Sequence, residues 1–326
     1  MTGRVVLITG GSSGLGYETA RYLSEGGNDV VITYRREEKG RKAVEKIKQE
    51  FPNALICGME LDLSSTTSIK DFVKEFTKTK KKLSVLINNA GMAPHPRSGT
   101  AQKTSDGLEY VMATNYFGHF LLTNLLLDYI IQTGNIMGDS RIVNVTCKVH
   151  DHENNWSTRN LDFLDPENLQ LGNSGTYKGL QAYKNSKLCQ VLMTYHLAEK
   201  LKGTNVICNA VDPGWTPTTK LTRHAGAIPR VFGSCFVHRT MRPCVTMTKT
   251  PKKAALQICD VADSKKYAEK NGKYFVEGVE DRSSIESYDR DLQKYVWRKS
   301  AELLGVNRFA DEGFDDVSLT SRDKLL

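Results

Sequence analysis

The stretch Val5-Val6-Leu7-Ile8-Thr9-Gly10-Gly11-Ser12-Ser13-Gly14-Leu15-Gly16 constrains this chain more than any other. Four apolar residues run directly into a glycine cluster, and a helical pattern follows from Tyr17 to Glu25. An apolar run this short, with no polar alternation, suits a strand buried on both faces, as in a parallel sheet. Gly10 allows a sharp exit from that strand, Gly14 lets backbone approach a phosphate, and Gly16 lets the next helix pack closely on the sheet. A helix starting there turns free N–H groups and the positive end of its dipole toward an anion. The stretch therefore reads as a dinucleotide pyrophosphate site, with Ser12, Ser13 and Leu15 completing the loop, or as a plain Gly-rich turn. A nucleotide-hydrolase phosphate loop is excluded, because Gly16 is followed by Tyr17 where such a loop needs Lys.

Downstream, apolar runs alternate with helical patterns. Strands are predicted at Asp29–Tyr34, Ala54–Leu61, Leu83–Ile87, Arg141–Thr146, Asn205–Val211 and Gly272–Val276. Helices are predicted over Glu37–Glu50, Ser64–Lys80, Tyr110–Ile131, Leu180–Leu201 and Ser287–Leu304. This alternation implies an α/β fold: one doubly wound, seven-stranded, mainly parallel sheet with right-handed crossovers and helices on both faces. The 326 residues suit one domain over 1–306 and a polar, mobile tail over 307–326. No apolar stretch is long enough to span a membrane, and a strand so near the start leaves no room for a signal peptide. Seven scattered cysteines without a CxxC pair predict reduced thiols, no metal site and a cytoplasmic protein.

The net charge of +8 is unevenly spread. No acidic residue lies between Asp212 and Asp260, an interval that holds Lys220, Arg223, Arg230, Arg239, Arg242, Lys249, Lys252 and Lys253. This is either a solvated basic face or an attractant for an anionic cofactor, an acidic ligand or a membrane surface. Nucleic acid is not expected, since no recognition motif accompanies the charge.

Tyr183-Lys184-Asn185-Ser186-Lys187 carries the second strong signal. Residues four apart share a helix face, so Tyr183 and Lys187 point the same way. A phenol with its ordinary pKa near ~10 is a poor proton carrier at neutral pH. A neighbouring ammonium and an oxidised nicotinamide are expected to lower that value. Tyr183 would then protonate a carbonyl oxygen while hydride reaches the carbon.

Together these stretches resemble the short-chain dehydrogenase/reductase family, closest to its retinol dehydrogenase-like group. The resemblance rests on Thr9 to Gly16, Asp62-Leu63, Asn88-Asn89-Ala90-Gly91, Thr114 to Phe120, Arg141 to Val145, Tyr183 to Lys187 and Asp212-Pro213-Gly214. It implies a Rossmann fold and an oxidoreductase acting on alcohol or carbonyl groups. Asp62, with Leu63 beside it, would bind the adenine amine. Asn88 and Ala90, with Asn89 and Gly91 in the same stretch, would line the adenosine ribose. Asn115 would hold a water linking Lys187 to solvent, and Lys187 would also grip the nicotinamide ribose. Pro213, Gly214, Trp215 and Thr216 would shape the nicotinamide end. A homodimer through the helices holding Asn115 and Tyr183 is a further expectation of the resemblance.

Cofactor choice falls to the end of the second strand. A carboxylate there accepts from a 2′-hydroxyl, whereas a cation accommodates a 2′-phosphate. The chain offers Tyr34-Arg35-Arg36 and no carboxylate until Glu37. NADP(H) is therefore favoured over NAD(H), with Arg35 the better candidate and Arg36 the alternate.

One motif departs from the family pattern. A serine pair should close the fifth strand, and this chain has Thr146-Cys147. Alignment puts Cys147 in the catalytic position, where a thiol is a weak donor; Thr146 could serve only if a bulge turned it. Two readings follow: an NADPH-dependent reductase assisted by Cys147 or Thr146, or a catalytically impaired cofactor-binding sensor or interaction protein. The segment 215–253 is expected to form a substrate lid. Within it Ile228, Val231, Phe232, Cys235 and Phe236 recur at helical spacing, as core packing or as a membrane-facing stripe that collects a lipophilic carbonyl, retinal-like, steroid or long-chain.

Overall fold

The computed structural model describes residues 3–93, 100–151, 153–155, 158–172, 177–214, 216, 249–306 and 308–309. β1 (Val5–Ile8) leads through the glycine turn into α1 (Gly14–Glu25). β2 (Asp29–Tyr34), α2 (Glu37–Glu50), β3 (Ile56–Glu60), α3 (Thr66–Lys78) and β4 (Leu83–Asn88) complete the first half. The second half holds α4 (Tyr110–Met112), α5 (Gly118–Met137), β5 (Ser140–Val145), α6 (Gly179–Lys200) and β6 (Val206–Asp212). It closes with α7 (Pro251–Asp263), β7 (Tyr274–Val276), β8 (Val279–Asp281) and α8 (Arg290–Leu304).

The strands lie in the order β3-β2-β1-β4-β5-β6-β7-β8. Neighbours from β3 to β7 pair in parallel, and β8 pairs antiparallel with β7. The two-residue period of a strand sends side chains to both faces. Val6 and Ile8 of β1 pack with Ala20, Leu23, Ile47 and Ile258, from α1, α2 and α7. Leu7 points the other way, into the layer that holds Phe72, Leu121, Leu192 and Trp297, from α3, α5, α6 and α8. The sheet is thus covered on both sides, as the unbroken apolar runs require.

Among the described residues the sheet has eight strands, where seven were expected. The extra one follows a two-residue turn, Glu277–Gly278, in which both residues have positive φ (57° and 79°), the geometry that matches hairpin twist. Its three residues are all exposed, so it carries no apolar pattern. The helix expected over Tyr110–Ile131 is also interrupted: a π-helical turn, Ala113–Phe117, separates α4 from α5. Such wide turns are frequent at functional sites.

α6 is buried on nearly all sides, and α8 lies on it with the Trp297 ring 4.9 Å from His196 and 4.7 Å from Phe120. Tyr116 and Ser300 hydroxyls bond at 2.9 Å in the same layer. The chain's own helix α8 thus covers part of α6. Most of the expected lid (215 and 217–248), with its apolar stripe, and of the tail (307 and 310–326) lies outside the described residues. The last lid residues already belong to α7, which Pro251 and the Thr250 cap start. Among the described residues, no helix is long and apolar enough to cross a membrane.

Candidate active site

The sequence-predicted residues gather at the carboxyl ends of β1, β4, β5 and β6, where open α/β sheets bind ligands. Gly10 and Gly14 have φ of +68° and +60°, a region that side chains disfavour. A Cβ on Gly16 would stand 2.5 Å from Asn89 Nδ2 and 2.6 Å from the Gly10 carbonyl oxygen, so α1 can approach this closely only with glycine there. Ser13 is the N-cap of α1, yet its side chain bonds none of the first-turn N–H groups. Those donors stay available to an anion. Ser12 and Leu15 are half-buried beside it.

Thr9 locks this turn to the next. Its hydroxyl accepts the Asn89 and Ala90 N–H groups, both at 2.9 Å, and faces His119 Nε2 at 2.9 Å. His119 Nδ1 lies 2.8 Å from the Asn115 carbonyl and must donate to it. Complete burial brings the imidazole down to about 4, so the ring is neutral and its Nε2 accepts from Thr9.

Cys147 faces Tyr183, with Sγ 3.7 Å from the phenol oxygen. Thr146 points away and donates to the Lys187 carbonyl at 3.1 Å. Strand alternation holds through this pair, so no bulge presents the threonine. Burial pushes the Tyr183 phenol well above its ordinary value, and Cys147 and Asp212 push the same way. The direction is opposite to the lowering expected from an ammonium and an oxidised nicotinamide together, because desolvation of a phenolate dominates in a site this enclosed. Burial likewise raises the Cys147 thiol and lowers Lys187, so at neutral pH the site holds a phenol and a thiol.

Lys187 Nζ donates to the Val145 carbonyl at 3.1 Å and to Gln190 Oε1 at 2.9 Å, and lies 5.9 Å from the Tyr183 ring centre. Asn115 sits in the π-turn. Its amide clamps Met92, accepting that N–H at 2.8 Å and donating to that carbonyl at 3.0 Å. Its main-chain carbonyl accepts from His119 and from Gln190 Nε2 at 2.9 Å. Two side chains therefore bond the Asn115 carbonyl, and one of them, Gln190, also bonds Lys187.

Asp212 joins the two loops that flank the phenol. Its carboxylate accepts from Lys148 N–H at 2.7 Å and Gly214 N–H at 2.8 Å, with the Tyr274 hydroxyl at 3.4 Å. Gly214 adopts φ +81°, and Pro213 beside it is buried. Thr216 is buried too, while Trp215 lies outside the described residues. His150 is buried, donates to the Cys147 carbonyl at 2.7 Å and accepts Ser284 N–H at 3.2 Å.

At the far end of the cleft, Arg35 is exposed and donates to the Tyr110 hydroxyl at 2.6 Å. Arg36 is the exposed N-cap of α2. Asp62 Oδ1 accepts from Ser64 N–H and hydroxyl at 2.9 and 2.7 Å. The Leu63 side chain belongs to the core, which confines any role there to its main chain. Asn88 is corrected outright: it is fully buried and donates inward to Thr123 (3.0 Å) and Asn144 (2.8 Å), away from any ribose. Asn89 braces the turn by donating to the Thr9 carbonyl at 2.8 Å. Gly91 passes beside the lysine, where a Cβ would stand 3.7 Å from Nζ.

Sequence reasoning missed Thr9, His119, His150, Gln190 and Asp212 as site residues. Gln190 had a legible signal: it lies three residues past Lys187 and seven past Tyr183, on one face of a helix.

Comparison with known proteins agrees with this geometry. A family model described as short chain dehydrogenase matches residues 4–157, and one described as AcuH dehydrogenase domain matches 224–312. Polyprenol dehydrogenase of Homo sapiens is 36% identical over 305 residues, covering 93% of this chain and 86% of its own. Retinol dehydrogenase 12 of Homo sapiens is 34% identical over 306 residues, 94% of this chain and 88% of its own. A solved Mycobacterium paratuberculosis protein superposes with a TM-score of 0.69 at 25% identity, covering 93% of this chain and 94% of that one. An actinorhodin polyketide ketoreductase crystallised with NADPH shares the fold, with a TM-score of 0.63 at 23% identity over 84% of this chain and 95% of its own. The likeness spans the glycine turn, the sheet and the tyrosine helix together, and the chain belongs to the short-chain dehydrogenase family, close to its retinol dehydrogenases.

Proposed function

We propose that this protein is an NADP(H)-dependent reductase that converts a lipophilic aldehyde or ketone to its alcohol, with Tyr183 as proton donor. The observation that carries this reading is the Tyr183 hydroxyl 3.7 Å from the Cys147 thiol, with the Lys187 ammonium behind them. A nicotinamide dinucleotide fits the residues present. The turn at Gly10 to Gly16 excludes side chains where a pyrophosphate would lie, and an exposed guanidinium, with no carboxylate before Glu37, follows β2. When bound in reduced form, the cofactor supplies the hydride. Lys187 commits two of its three donors to Val145 and Gln190, and the third is free to take a ribose hydroxyl.

Burial keeps the Tyr183 proton in place through neutral pH, which suits a general acid. Cys147 S–H orients the same carbonyl oxygen as a weak donor. Around them Val111, Tyr177, Met92, Val149 and Leu171 form an apolar cluster, favouring a lipophilic substrate. The names of the two human relatives specify polyprenol and retinol, which supports the same class. The test is stopped-flow loss of NADPH absorbance with all-trans-retinal and a panel of aldehydes, in which turnover is expected. Tight NADPH binding with no turnover on any of them would favour the sensor reading.

Arg35 carries the cofactor preference. Its guanidinium is already oriented by Tyr110, and a charge-assisted bond to a 2′-phosphate is worth about 1.5–3 kcal/mol. Arg35→Asp is therefore expected to weaken NADPH binding about 10- to 100-fold while leaving NADH nearly unchanged. Fluorescence titration with both nucleotides measures the difference, and equal losses would remove the argument.

A further inference from the structure

We propose that Gln190 is a positioning residue for Lys187, tying its ammonium through the Asn115 carbonyl and His119 to the turn after β1. The inference rests on the reductase reading only in calling Lys187 catalytic; the contacts stand without it. Gln190 is fully buried. Its Oε1 accepts from Lys187 Nζ at 2.9 Å, and its Nε2 donates to the Asn115 carbonyl at 2.9 Å. That carbonyl also accepts from His119 at 2.8 Å, which filles the two lone-pair directions of a carbonyl oxygen. His119 in turn meets Thr9, whose hydroxyl holds the Asn89 and Ala90 N–H groups. One side-chain amide thus joins the lysine helix to the wide turn of Asn115 and to both loops of the cofactor cleft. An amide does not exchange protons as water does, so this link orients Lys187 and carries no proton from solvent.

The titratable groups that face Lys187 are Cys147 beyond β5, Asp212 at the end of β6, His119 on α5 and Tyr183 on its own helix. Gln190 adds the neutral acceptor. Without it, the buried ammonium loses a partner and its pKa, already lowered by burial, falls further. A lysine whose folded-state pKa is depressed destabilises the fold in full below that pKa, and the penalty fades as pH rises to the unfolded-state value. The part of the loss carried by Lys187 is therefore largest where the lysine is charged, shrinks as pH rises toward its parental folded-state value, and is gone above it.

Gln190→Met keeps the length and removes both polar ends; Gln190→Asn keeps the amide on a side chain one methylene shorter. Thermal unfolding of each full-length variant is compared with the parent at about pH 7 and about pH 10. The Tm loss is expected to be clearly larger at the lower pH, and equal at both when the substitution is made in Lys187→Met. Turnover of all-trans-retinal with NADPH should fall roughly 10- to 100-fold, with KM nearly unchanged, as small misplacements of a catalytic group do. With Lys187 intact, an equal Tm loss at both pH values, or a parental kcat, would reduce Gln190 to packing and overturn the proposal. The unfolding measurement needs no turnover, so failure of the reductase reading is distinguishable from failure of this one.

Discussion

Tyr183→Phe is expected to bind NADPH as the parent does and to reduce aldehydes about 10²- to 10⁴-fold more slowly, the usual contribution of a positioned general acid. The substitution is structurally mild. The phenol oxygen's neighbour is the Cys147 sulfur at 3.7 Å, a weak partner, so its removal strands no strongly polar buried group. The ring keeps its place in the apolar cluster with Val111, Tyr177 and Ala182. The parental rate should hold level through neutral pH and fall only in the alkaline range, because burial raises the phenol and reduction requires its protonated form. Single-turnover NADPH oxidation across pH, with a nucleotide titration alongside, reads both effects. A Phe variant with parental rates and intact binding would eliminate Tyr183 as the donor.

The frame of this site was legible because it depends on local rules. Glycine spacing read the turn, since only glycine tolerates φ near Gly10 and Gly14 and the approach at Gly16. Helical spacing read Tyr183 with Lys187. What remained hidden depends on contacts between distant segments. The Thr9–His119 bond spans 110 residues of sequence and the Gln190–Asn115 bond 75. Asn88 shows the converse: its place in a motif suggested the cleft, but the pleat of β4 turned it toward α5. The burial that raises the Tyr183 phenol was not foreseen, because burial depth is not written in residue spacing. β8 was missed because three exposed residues after a tight turn have no apolar periodicity.

The largest gain in activity should come from Cys147→Ser. A preorganised donor to the reacting oxygen contributes about 10²–10³ in turnover, and a thiol supplies only part of that. Thr146 does not compensate, because its hydroxyl is buried and bonded to the Lys187 carbonyl. The backbone that presents residue 147 is held from three sides: His150 on the Cys147 carbonyl, Asp212 on Lys148 N–H, and Val211 pairing with Thr146. A serine therefore enters a position already aimed at Tyr183. We expect kcat to rise by about tenfold or more in Cys147→Ser and to fall in Cys147→Ala, with NADPH affinity unchanged in both. Burial keeps the native thiol protonated at neutral pH, so no thiolate charge opposes the phenol in the parent and the change isolates donor strength. If the serine variant is no faster than the parent while the alanine variant matches both, residue 147 makes no bond to the reacting oxygen. Proton transfer from Tyr183 would then have to proceed without a second donor.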